Sequence, residues 1–323
     1  MNKTNYIDVI NLVLILLAAG LAFLMPFQTF IIAYLVIGPL HYLTETQWLK
    51  NQGFFLENKK WGILFLICAI LLIAFIQLEE SELFNNVVTS FFDLWSNALI
   101  YFAFIISAVL VLVRNNLMRI LTLLTSLALL LLLNNLSAYH IIIGILLPTI
   151  VHVYIFTLLF MIYGWKKQKT KIGLINIGLL FTSPIIIFLP VDQTSISSGL
   201  FNDLFLKSGF QNLNLMIENW LHLSSSDGLS ASGRNPRVQS FLAFIYLYHY
   251  LNWFSKTTQI KWHKALKNRS IIIISLIWIA IIGLYFINFK LGLVIAVLFS
   301  YIHVFMEFPL NIKTFTSLTK RQI

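Results

Sequence analysis

Four histidines and two glutamates lie where ionisable groups are expensive. His41, His152, His249 and His303 each fall inside a long apolar run, and Glu45 and Glu307 are the two acids that do so. Ionisable residues within membrane spans are rare and mark function, so each one asks for a partner. Glu45 follows His41 by four residues in Gly38-Pro39-Leu40-His41-Tyr42-Leu43-Thr44-Glu45. Glu307 follows His303 by four in His303-Val304-Phe305-Met306-Glu307. On a helix this spacing puts both side chains on one face, about one turn apart. Imidazole suits iron, zinc, copper and nickel. A carboxylate one turn from a ligand histidine fits a supporting role, accepting the second ring N–H and fixing the tautomer, or acid–base work beside the metal. Cys68 is the single cysteine, which excludes a thiolate cluster and an intrachain disulfide.

The elements that carry these residues are read from composition and charge. Hydrophobic residues make up 59% of the 323 and charged residues 11%, against roughly 25% charged in soluble proteins. So few charges cannot cover a water-facing surface. The apolar runs approach the ~20 residues that cross a hydrocarbon core. We therefore expect an all-α, polytopic transmembrane helix bundle, one transmembrane domain over 1–323. Its spans fall near 8–25, 29–48, 61–78, 97–113, 117–133, 139–164, 172–190, 238–255, 270–288 and 291–310. The first is read as a retained helix, since its apolar run is long for a cleaved signal peptide.

Orientation follows from lysine and arginine. With about ten spans and both termini cytoplasmic, 18 of these residues are internal, and only Lys207, Arg234, Arg237 and Lys290 are external. The net charge of +10 is thus accounted for by topology, and nucleic-acid binding is not indicated. The four histidines then sit on spans two, six, eight and ten, which all run outside to inside. Counting to the next lysine gives 9 residues from His41 to Lys50, 14 from His152 to Lys166, 7 from His249 to Lys256 and 10 from His303 to Lys313. At 1.5 Å per residue they lie roughly 10–20 Å above the cytoplasmic edge. One shared metal site in the inner half of the bundle is the expectation.

Pro39 and Pro148 precede His41 and His152 and predict kinks in their spans. The one long external loop, 192–237, contains apolar residues at helical spacing between Leu200 and Leu223. It is read as an amphipathic helix that either lies on the outer membrane surface or caps the bundle. His140, His222 and His263 fall outside the shared level.

At the histidine patches the chain resembles the bacterial and archaeal β-carotene dioxygenase family, the Brp/Blh group. Gly38-Pro39-Leu40-His41 with Glu45 is similar to that family's Gly-Leu-Pro-His followed by Asp, His152 to a central histidine, Tyr248-His249 to a Trp-His pair, and Ile302-His303-Val304 to a late Pro-His-Met segment. Trp253 stands where the family carries a further histidine. The resemblance implies a membrane dioxygenase that holds iron through histidines and cleaves an isoprenoid or carotenoid. Lipid bilayer and a hydrophobic small molecule are the implied partners, and the inner membrane of a bacterium the implied location. On this reading Fe(II) is held by His41, His152, His249 and His303. Three rivals use the same residues. Zinc with Glu45 or Glu307 as general base makes a lipid hydrolase. Axial histidines on haem make an electron carrier. Without a metal, His and Glu relay protons in a transporter.

Overall fold

The computed structural model of the chain describes residues 3–80, 86–188, 199–223, 235–256 and 261–319. Among the described residues nearly all are helical and none is in a strand. The helices are α1 (Lys3–Leu24), α2 (Pro26–Ile32), α3 (Gly38–Asn51), α4 (Trp61–Glu79), α5 (Asn86–Leu112), α6 (Asn116–Leu133) and the single turn α7 (Ser137–Tyr139). They continue with α8 (Thr157–Gln168), α9 (Lys171–Thr182), α10 (Gly199–Lys207), α11 (Gln211–Trp220), α12 (Pro236–Ser255), α13 (Asn268–Ile287) and α14 (Phe289–Thr319).

Eight stretches are long and apolar enough to cross a membrane, among them Pro26–Asn51, Ser137–Gln168 and Phe289–Thr319, which carry His41, His152 and His303. Leucine and isoleucine point outward from several of them, as at Leu124, Leu132, Ile272 and Leu276, which suits a hydrocarbon solvent. The expected spans at 172–190 and 238–255 are not among the eight. The first is a shorter apolar helix whose last two residues lie outside the described set. The second is α12, whose residues are nearly all buried. A helix enclosed by protein tolerates Gln239, Ser240, His249 and Asn252, and these lower its hydropathy.

Helix α5 begins at Asn86, well before the expected start near 97. About three turns in, polar side chains bond back to the helix's own backbone. Ser96 Oγ donates to the Phe92 carbonyl at 2.8 Å, and Asn97 Nδ2 to the Asp93 carbonyl at 3.3 Å. Self-satisfied polar groups do not end a helix.

Both prolines lie in or just after stretches of wider winding. Residues Ala33–Ile37 and His140–Phe156 are wound as π-helix, the second containing Pro148. The Gly38 N–H closes the first π turn on the Ala33 carbonyl. Proline removes a donor from the ladder, and wider winding re-pairs the chain around it. Trp278 Nε1 donates to the Val36 carbonyl at 2.8 Å and braces that turn from α13.

The chain packs as two compact units. The first comprises Met1–His41, Thr157–Lys264 and Ile273–Leu293, and the second Tyr42–Phe156, Ala265–Ile272 and Val294–Ile323. In the first, α12 is the central helix, against which α1, α2 and α11 pack. Ser255 Oγ donates to Asn11 Oδ1 at 3.1 Å, and Asn176 Nδ2 donates to the Asp8 carbonyl at 2.8 Å, clipping α1 to α12 and α9. In the second, α4 lies on α5, and α5 on α6 and the long π segment.

The amphipathic stretch is two helices, α10 and α11, broken at Gly209, whose φ of +74° suits glycine. Phe205 is fully buried and meets Phe27 edge-on at 5.0 Å, and Leu213 and Ile217 are buried too. Leu200 and Trp220 face outward. The inner face therefore caps the first unit. Residues 192–198 and 224–234 of the expected loop lie outside the described residues.

Candidate metal centre

In the second unit, three elements converge on one point. His152 comes from the π segment, His303 and Glu307 from α14, and Glu45 from α3. Each of the four is at most 4% exposed. His303 Nε2 lies 3.3 Å from Glu307 Oε2 and 3.3 Å from Glu45 Oε2. His152 Nε2 lies 3.6 Å from Glu307 Oε2, and the two imidazoles meet edge to face with centroids 4.9 Å apart. Tyr42 stacks on His303 at 5.3 Å and fixes the plane of its ring.

His152, His303 and Glu307 offer ligand atoms all within 4.8 Å of one another. A metal bonded at about 2.0–2.2 Å in tetrahedral or octahedral geometry holds adjacent donors roughly 2.8–3.6 Å apart. The contacts of 3.3 and 3.6 Å fit that requirement. Charge agrees with geometry. Among the described residues no lysine or arginine is buried. A buried carboxylate costs several kcal/mol unless a positive charge offsets it. Beside Glu45 and Glu307, protonated imidazole or a bound cation can supply that charge.

In the first unit, His41 of α3 and His249 of α12 lie with ring centroids 4.8 Å apart. Both are buried. His249 Nδ1 is 2.7 Å from Thr157 Oγ1, so any metal bond from His249 is made by Nε2. Tyr250 and Trp253 lie against His41 at 4.9 and 5.9 Å. Among the described residues of this unit no acid is buried. The company of the pair is hydroxyl and aromatic ring.

All six residues singled out in the sequence are buried, and each unit brings its own subset together. Two details depart from the spacing argument. Spacing predicts that Glu45 serves His41, its neighbour one turn away, yet its contact in the second unit is His303 on another helix. Both carboxylates also approach the same ring atom of His303, Nε2, so Glu45 joins Glu307 there from another helix. Thr157 and Tyr42 are additions that spacing did not reveal. The only hint of Thr157 is a hydroxyl five residues after His152 on a continuous helical stretch. His140 has structural partners, Asn97 Nδ2 at 3.0 Å and the Asn134 carbonyl at 2.8 Å.

Comparison with known proteins returns no match to any family model, curated protein or solved structure.

Proposed function

We propose that the chain is a membrane-embedded oxygenase that depends on non-haem Fe(II) and acts on an apolar isoprenoid, carotenoid-like or lipid substrate. One observation carries the reading: the second unit alone assembles two histidines and a carboxylate, His152, His303 and Glu307, within 4.8 Å. Two histidines and one carboxylate with open positions is the ligand set of non-haem iron oxygenases. When bound, iron supplies the redox chemistry by which dioxygen attacks an unsaturated carbon chain. His41 and His249 enter the proposal as further ligands, on the sequence ground that all four histidines fall at similar depth. The remaining residues do the work that an apolar reaction needs. Glu45, beside His303 Nε2, takes up and returns a proton at Oε2. Tyr42 holds the imidazole plane. The burial of all four groups in the second unit keeps water away from reactive species. Ten spans, both termini in the cytoplasm and a place in a bacterial inner membrane complete the proposal, resting on the lysine and arginine distribution.

A second reading rests on the two carboxylates at one histidine. Zinc in the same place, with Glu45 as general base on water, makes a lipid hydrolase. Metal analysis by mass spectrometry, with an absorption spectrum of the same purified protein, separates the two. About one iron per chain without a Soret band supports the oxygenase. Zinc alone moves the assignment to the hydrolase, and a Soret band to a haem protein. A chain that takes up no metal on reconstitution sinks both metal readings.

A further inference from the structure

Away from the histidines, the first unit buries two amides that nothing satisfies. Asn214 on α11 and Gln239 on α12 are both fully buried, and neither the oxygen nor the nitrogen of either side chain has a hydrogen-bond partner. Native proteins pair such groups, and each exception needs an explanation. The two belong together. Where α11 and α12 meet, the Asn235 N–H donates to Glu218 Oε1 at 2.8 Å. Asn214 is one turn before Glu218 on α11, and Gln239 one turn after the cap Asn235, so both lie within a turn of the place where the two helices meet.

One turn before Asn214 and two turns after Gln239, Phe210 and Tyr246 belong to one aromatic cluster. Phe30 meets Phe210 at 5.0 Å and Tyr246 at 5.2 Å, and Tyr34 meets Phe210 at 4.4 Å. A few convergent polar groups in an apolar setting are the signature of a small-molecule site. Along α12, Tyr246 and Tyr250 follow Gln239 by seven and eleven residues, which keeps them on its face. That stripe spans roughly 16 Å, and Tyr250 lies 4.9 Å from His41. Glu218 and Arg237 carry opposite charges at the amide end of the stripe and offset one another there.

We infer that Asn214 and Gln239 grip the uncharged head of a lipid-soluble molecule, a hydroxyl, carbonyl or carboxamide, whose apolar chain lies along the Tyr246 and Tyr250 face of α12 towards His41 and His249. An amide both donates and accepts, which matches a hydroxyl that does the same. The substrate class is thereby an isoprenoid or fatty chain with one polar end, in preference to a pure hydrocarbon. That the far end of the chain reacts rests on the metal reading; the head site does not.

The test is thermal unfolding of the full chain in lipid nanodiscs with 1-hexadecanol or hexadecane, with metal content measured on the same samples. A ligand that binds the folded state raises its midpoint. The alcohol should raise it and the alkane should not, and Asn214→Leu and Gln239→Leu should each abolish the shift. The wild-type response to the two probes decides even if a variant fails to fold. Equal shifts from both probes, or none from either, overturn the inference. So do leucine variants that gain stability and keep the alcohol shift, the behaviour of a mismatched core pair. His303→Ala separates the two ideas: loss of metal with the alcohol shift intact leaves the head site standing, whereas wild-type protein with metal but no shift removes the head site and spares the oxygenase.

Discussion

The two units carry histidines in opposite chemical company. In the second, His152 and His303 share their space with two buried carboxylates. In the first, His41 and His249 lie among Tyr250, Trp253 and the Thr157 hydroxyl, and no described acid of that unit is buried. The difference is one of charge. Two glutamates buried without lysine or arginine hold a deficit that a dication with neutral imidazoles cancels, whereas two neutral imidazoles among aromatic rings demand nothing. On the proposed reading the second unit anchors the cation, and the first offers its two histidines from aromatic surroundings.

Four substitutions test that contrast. The largest effect belongs to His303→Ala, which removes the donor at the centre of the second unit's cluster. Metal content should fall to background in mass spectrometry while circular dichroism stays helical, and full occupancy would show that the anchor lies elsewhere. Next is Glu45→Gln, which keeps size and polarity but cannot carry the proton. Turnover should drop about 100-fold or more, in the usual range for a general acid–base group, with metal retained. Loss of metal instead would make Glu45 a ligand. In the first unit, Thr157→Val removes the hydroxyl that orients His249. A loss of roughly 10-fold, up to 100-fold, in metal affinity or activity is expected for such an orienting partner, and an unchanged protein would exclude His249 from the site. The smallest change is Trp278→Phe, which deletes the brace on the Val36 carbonyl. Stability should fall by about 0.5–1.5 kcal/mol, read as a lower midpoint with metal content unchanged.

Much of the fold and part of the site were legible in the order of residues, for identifiable reasons. Helical periodicity is local, so the His303 and Glu307 pair, one turn apart on α14, could be read directly, and it forms at 3.3 Å. Burial was legible because a charged group in an apolar run has nowhere else to go. Pairing between helices was not, since no local spacing encodes it. Glu45 finding His303 is such a case, and so is Thr157 finding His249 across 92 residues of chain. Hydropathy placed α12 where it is found, although that helix is enclosed by protein. It placed the start of α5 too late, because Thr89, Ser90 and Asp93 dilute the apolar run without ending the helix.

The winding at Ala33–Ile37 has a consequence for how such a chain changes over generations. A π turn is equivalent to one residue inserted into an α-helix. Because the wide turn takes up its extra residue locally, the face on which His41 and Glu45 emerge keeps its direction through it. In plain α-helix one residue more or fewer swings everything beyond it by about 100°. A lineage could therefore lose one codon at Ala33–Ile37, trade π for α winding and keep its site, whereas the same loss between Gly38 and Glu45 would keep a membrane protein and turn its chemistry away.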